Sequence, residues 1–358
     1  MKKQWTRKLT ILVSGALAVG LTLAFQKPAP GPAAATVTML VVKTGTTGEP
    51  LLTNAAFGDI PMVYNEKVAQ MIDAYSNRVH ARFELGLVNA GKYEGLIRTA
   101  FQSEGLPEDL VYVAMIESSF RPNASSKARA QGIWQFANST GRRFGLKSNS
   151  LIDERSDPAK ATLAAAKFWK TLYGEYKDWN LAMAAYNAGE GRVSGAIRKT
   201  GINDYWDLCS QNALPKETCN YVPGVIAAAT IARNPARYGF IVTPADAREF
   251  DTVTVDKPID LRTLASKTSV KLDDLRELNP ELRTTHVPGT GAGYPLVVPT
   301  EFRAAIESSL LTLPAIAAIV PAAFHTARSH SHAWRRGHGG GFIRIRGRVH
   351  RIGGRSRA

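Results

Sequence analysis

From Pro61 to about Arg237 the apolar residues return every three or four positions, the spacing of helices buried along one side. Val63, Val68, Met71, Ile72 and Tyr75 form one such stripe, and Phe83, Leu87, Tyr93, Ile97 and Phe101 a second. Gly105-Leu106-Pro107-Glu108-Asp109 reads as a helix start, with Pro in the first turn and acids where the helix dipole favours them. The run that follows, residues 110–116, is apolar on nearly every side, so this helix is predicted to be buried. Arg121-Pro122 is expected to stop it, because a residue before Pro is pushed out of the α region. Residues 162–173, 181–186 and 221–233 read as further helices.

The pattern changes near Phe240. Residues 250–299 hold short alternating segments, Thr252-Val253-Thr254-Val255 and Leu296-Val297-Val298, around two helical ones, which predicts a separate βααβ module. After Thr300 comes an Ala-rich stretch broken by Pro314 and Pro321, then a Gly/Arg/His tail of low complexity. Residues 301–358 are therefore expected to be disordered.

The chain has 358 residues, with 21% charged and 8% aromatic, which excludes a wholly disordered polypeptide. Its formal charge of +15 points to a nucleic-acid partner until the charge is located. The first 35 residues carry five bases and no acid, and residues 326–358 carry nine Arg and no acid. Residues 36–325 are left with a net +1, so no nucleic-acid partner is expected. The basic tail remains suited to weak association with a membrane or with anionic wall components, or to a solubilising role.

Residues 1–10 are basic, residues 11–25 are apolar, and Ala33-Ala34-Ala35 offers a cleavage site. That is the layout of a signal peptide spanning residues 1–35, followed by a Gly/Thr-rich linker over 36–60. The expectation is an exported, periplasmic or envelope-associated protein, tethered to the membrane only if the segment stays uncleaved. Export permits disulfides, and Cys209 and Cys219 are the only cysteines. They read as a disulfide pair, with two buried thiols as the alternative.

Glu117 closes the buried apolar helix, with Val113, Ala114 and Phe120 one turn away. Burial and the negative end of the helix both favour the neutral carboxyl, a proton donor of the kind glycoside cleavage needs. The alternative is a structural Glu paired with Arg121 or Arg142. Between Glu117 and Asp153 there is no other acid, whereas two-carboxylate glycosidases need a second one about 5–9.5 Å away. Glu190 is the distant acid that folding could bring into the same cleft.

The surrounding text adds a resemblance. Residues 117–126, Gly132-Ile133-Trp134-Gln135, Ala185-Tyr186-Asn187-Ala188-Gly189 and Asn220-Tyr221-Val222-Pro223 occur in an order that resembles the SLT catalytic domain of the lytic transglycosylases. The resemblance covers about residues 60–300. It implies a mainly α, goose-lysozyme-like catalytic domain over 101–240, preceded by a helical extension over 61–100. It also implies cleavage of the β-1,4 bond between N-acetylmuramic acid and N-acetylglucosamine in peptidoglycan strands, leaving a 1,6-anhydro end, by a monomer without cofactor or metal.

Carried over by position, Glu117 is the catalytic acid/base, and Ser126 helps hold its carboxyl and the sugar. Gly132 and Gln135 line the cleft floor. Tyr186 and Asn187 sit over the acid and the acetamido group, and Tyr221 reaches the acid. Trp134 stands where the family often has Met, and is either core or a sugar-stacking face.

The 250–300 module resembles a small α+β LysM glycan-binding unit, although Asp256-Lys257-Pro258-Ile259-Asp260 replaces the usual Gly-Asp-Thr, so a purely structural role stays open. Two other functions fit less of the chain: a catalytically inactive wall-binding protein, and a hydrolytic muramidase. His80 and His286 are the only histidines before position 325, which leaves little for a zinc cluster or a Ser/His/Asp triad.

Overall fold

A computed structural model describes residues 59–317 apart from 248, 290 and 291. The signal segment, most of the 36–60 linker and the basic tail lie outside the described residues.

The N-terminal layer is helix α1 (Glu66–Asp73), a π-helical turn at residues 74–78, and α2 (His80–Ser103). The site-bearing helix, α3 (Val111–Ser118), is short because five consecutive residues from Val111 to Met115 are buried and the chain then turns back. The chain continues through α4 (Asn138–Arg143), α5 (Pro158–Tyr176), α6 (Trp179–Ala188), α7 (Glu190–Thr200), α8 (Tyr205–Ser210) and α9 (Lys216–Arg233), with α2 and α9 packed directly on α3. The starts of α5 and α6 are set by capping. Asp157 accepts the amides of Ala159 and Lys160, and Asp178 accepts that of Leu181.

The core is centred where α3, α6 and α9 meet. Residues 181–185 on α6 and Val222 and Ala227 on α9 are fully enclosed. Helix α9 starts at Lys216, five residues before its expected beginning. Cys209 and Cys219 form a disulfide that ties α8 to its first turn. A bridge closing so short a loop contributes about 2–3 kcal/mol.

The C-terminal module pairs strand β1 (Phe250–Val255) antiparallel with β4 (Tyr294–Pro299), Phe250 facing Pro299. A second small ladder joins β2 (Ile259–Asp260) to β3 (His286–Val287), with α10 (Leu261–Thr268) and α11 (Leu272–Leu278) between them in sequence. Val253, Val255, Leu264, Leu275, Leu296 and Val298 make its core.

The expectation of disorder from residue 301 onward is corrected here. Arg303–Thr312 is a helix, α12, whose Ile306 is fully buried with Leu313 against that same core. Ala and Pro content argues for disorder, whereas the apolar anchors Ile306 and Leu313 hold this ten-residue helix on the module. No described helix is long and apolar enough to cross a membrane.

Candidate active site

Helix α3 ends sooner than Arg121-Pro122 suggested. Ser119 and Phe120 both adopt left-handed φ, 56° and 55°, and their amides fold back onto the carbonyls of Met115 and Ala114. Consecutive left-handed residues other than Gly cost roughly 1–2 kcal/mol each, a strain that clusters at functional sites. Burial of Phe120 and two side-chain bonds hold the turn. Asn89 Nδ2 donates to the Ser119 carbonyl at 2.9 Å, and Ser118 Oγ donates to the Ile133 carbonyl at 2.9 Å. The turn fixes Glu117 immediately before it.

Glu117 keeps part of its side chain open and is otherwise enclosed. Burial pushes its carboxyl up to about 7, against a hydrogen bond from Tyr221 that favours the ionised form; the charge of Glu217 adds a smaller upward push. The Tyr221 hydroxyl donates to Glu117 Oε1 at 2.7 Å. Arg121 does not pair with Glu117; its Nε donates to the Ser118 carbonyl. The structural ion-pair reading of Glu117 is therefore replaced by a buried acid with one tyrosine donor.

Helix α6 delivers Tyr186 and Asn187. The Tyr186 ring lies flat on Trp169, centroids 4.5 Å apart and 9° between planes, and its hydroxyl donates to the Trp134 carbonyl at 2.6 Å. Burial, then the nearby Glu117, hold that hydroxyl well above the ordinary tyrosine range. Asn187 Oδ1 accepts from Thr218 Oγ1 at 2.9 Å, joining the end of α6 to the start of α9.

The loop between α3 and α4 carries the remaining candidates. Gln135, at φ 47°, donates through Nε2 to the carbonyls of Ala124 and Gly132, at 3.1 and 2.9 Å. Gly132, at φ +84°, sits so close to the Arg155 carbonyl that a Cβ would lie 1.7 Å from the oxygen. Its small size thus makes room for the Arg155 backbone. Ser126 is exposed, and its hydroxyl accepts the Ala130 amide at 3.0 Å; among the described contacts it is not bonded to Glu117. Trp134 is fully buried, with its Nε1 on Thr162 Oγ1 at 3.0 Å, which makes it core.

Sequence reasoning passed over two features. Glu217 is one helical turn before Tyr221 on α9, the (i, i+4) spacing that puts two side chains on one face, and its charge reaches Glu117. Arg155 is buried with Asp153 and donates to the carbonyls of Arg129 and Phe136, at 2.9 Å each. Glu190, the distant acid considered as a second carboxylate, is held by Arg143 through both its oxygens, at 3.1 and 2.8 Å.

Residues 95–209 match the family Transglycosylase SLT domain, and residues 249–315 match the family Lytic transglycosylase MltD, LysM-like domain. The chain is 33% identical over 229 residues to membrane-bound lytic murein transglycosylase D of Escherichia coli strain K12, covering 62% of this chain and 50% of the relative. It is 39% identical over 104 residues to peptidoglycan transglycosylase gp16 of Escherichia phage T7, covering 28% of this chain and 8% of that protein. Among solved structures it is similar to the 70 kDa soluble lytic transglycosylase of Escherichia coli, at 20% identity, 50% of this chain, 32% of that chain and a TM-score of 0.37. The chain spans about half the length of the transglycosylase D relatives it matches. The SLT match spans residues 95–209, and Tyr221 and Glu217 lie beyond it on α9, tied to the site by the hydrogen bond and the charge they bring to Glu117.

Proposed function

We propose that this chain, with an SLT domain followed by a LysM-like domain of the MltD type, is a peptidoglycan lytic transglycosylase of the cell envelope. The observation that carries the reading is a single carboxyl, Glu117, held near neutrality beneath one tyrosine donor.

Protonated Glu117 gives its proton to the glycosidic oxygen, and the bond from that oxygen to the anomeric carbon of N-acetylmuramic acid breaks. The substrate's own acetamido oxygen stabilises the cationic centre. The resulting Glu117 carboxylate then takes the proton of the muramyl 6-hydroxyl, whose oxygen bonds to the anomeric carbon. One new N-acetylglucosamine end and one 1,6-anhydromuramic end form, no water is consumed, and Glu117 is protonated again. Tyr221 steadies the carboxylate between the two transfers. In this reading Asn187, Gln135 and Ser126 bind the acetamido and hydroxyl groups of the sugar. The protein acts without cofactor, as a monomer, on glycan strands outside the cytoplasm. Its LysM-like module and basic tail add contacts to the wall.

Glu217 favours one second reading, hydrolysis, because it is a carboxylate whose field reaches the acid. Mass spectrometry of sacculi digested by the purified protein separates the two. Anhydromuramic ends are expected, while reducing muramic ends alone would establish hydrolysis, and no release at all an inactive binder.

The Tyr221 bond makes a further prediction about pH. Activity requires neutral Glu117 in the free enzyme, so kcat/KM should fall as pH rises through about 7. Tyr221→Phe removes a donor that favours the carboxylate, so the falling limb moves to higher pH. A bond to a charged group is worth about 1.5–3 kcal/mol, which corresponds to a loss of roughly ten- to hundredfold at the optimum. A pH–rate profile of the variant superimposable on the parent's would contradict this role for Tyr221.

A further inference from the structure

The C-terminal module is joined to the catalytic domain at residues 151–153. Residues 151–153 and 281–283 run antiparallel, with Ile152 opposite Leu282. The Asp153 amide donates to the Glu281 carbonyl and the Arg283 amide to the Leu151 carbonyl, both at 2.8 Å. Ile152 also packs against the module's apolar core.

A charged relay runs through this seam. Arg283 of the module places Nη2 at 2.6 Å from Asp153 Oδ2. Asp153, buried, also receives Arg155 Nε on Oδ1 at 2.9 Å and Arg155 Nη2 on Oδ2 at 2.7 Å. Burial pushes the Asp153 carboxyl up, but the Arg155 bonds and the two guanidinium charges win and hold it below the ordinary range. Arg155 then spends Nη1 on the carbonyls of Arg129 and Phe136, and its own carbonyl fills the space left open by Gly132. Gln131 Nε2 adds a bond to Ser156 Oγ at 2.9 Å. Residues 124–136, the loop with Ser126, Gly132 and Gln135, thus rest on a corner of chain that the module clamps from the other side.

We infer that Arg283 is a positioning residue for the catalytic cleft, acting through Asp153 and Arg155 to fix the loop at residues 124–136. The module is then a buttress of the active site in addition to any glycan contact of its own. For its kinetic consequence this rests on the transglycosylase reading; for the ordering of the loop it does not.

The test uses the full chain with Arg283→Met, which keeps the aliphatic stem and removes the charge, and Arg283→Lys, which keeps a point charge. The backbone bridge at residues 151–153 is untouched in both, so the module stays docked. Hydrogen exchange across residues 124–136 should run about tenfold faster in Arg283→Met, while exchange in α9 matches the parent. On solubilised glycan strands KM should rise about three- to tenfold with kcat within about twofold, the signature of lost positioning in binding. Arg283→Lys should fall between parent and Arg283→Met in both measurements. Unchanged exchange in 124–136, or faster exchange spread equally into α9, overturns the inference. So does a fall in kcat at constant KM. If the parent releases no product, the transglycosylase reading fails and the exchange result still decides the relay.

Discussion

Glu117→Gln removes cleavage of peptidoglycan, with turnover down by at least about a thousandfold, the scale expected when a positioned general acid and base is lost in one change. Gln keeps the volume and an oxygen for the Tyr221 hydroxyl, so the fold persists. The variant should also be more stable than the parent above neutral pH. Burial raises the folded carboxyl from its ordinary 4.5 to about 7. The stability owed to that group is complete below about 4.5 and is lost as pH rises through about 7, because ionising it in the folded state costs more than in the unfolded one. Gln never ionises and escapes the cost, which is of order 1–3 kcal/mol once partial solvent access is allowed for. Thermal melts at pH 5 and pH 8 check this. The gap between variant and parent should be small at pH 5 and several degrees in favour of the variant at pH 8. A gap independent of pH, or residual cleavage within tenfold of the parent, would move the acid elsewhere.

Gly132→Ala should damage stability and activity together. The added Cβ would meet the Arg155 carbonyl at 1.7 Å, and that carbonyl belongs to a residue bound at every side, so it cannot yield cheaply. The φ of +84° adds the ordinary left-handed penalty. Together these predict a loss of at least about 2 kcal/mol. Displacing the loop by even one ångström should lower kcat/KM by about a hundredfold. Gly145 supplies the control: it has φ +95° but open space around it. Gly145→Ala therefore reports the backbone cost alone, and equal effects at the two positions in denaturation and kinetics would remove the Arg155 clash from the account.

Much of this could be read from the chain before folding. The stripes at Val68 and Phe101 and the enclosed run before Glu117 gave the helices, because burial on one side leaves a period in the text. Glu117 and Tyr221 were legible as members of separated motifs. The loop residues were legible as a group but not in their tasks. Gly132 lies against the Arg155 carbonyl and Gln135 bonds two backbone carbonyls, partners that no side-chain pattern announces. Trp134 was equally undecidable until Thr162 appeared beside it. Asp153 and Arg155 stayed silent because their partners are carbonyls, which every residue possesses, and an arginine 130 positions away. Helix α12 escapes the sequence for a related reason: what orders it is a surface built by α10 and β1, absent from its own composition.

The paired left-handed residues after Glu117 carry a consequence for how this site can drift under mutation. Among the described residues Tyr221 is the side chain that hydrogen-bonds the acid, and the carboxyl owes the rest of its placement to main-chain torsion at Ser119 and Phe120. A glycine at Ser119 would relax the strain and let the end of α3 swing, blunting the catalyst while leaving the molecule sturdier, whereas at Phe120 the lost core packing outweighs the relief. Selection for robustness and selection for turnover therefore pull in opposite directions at Ser119.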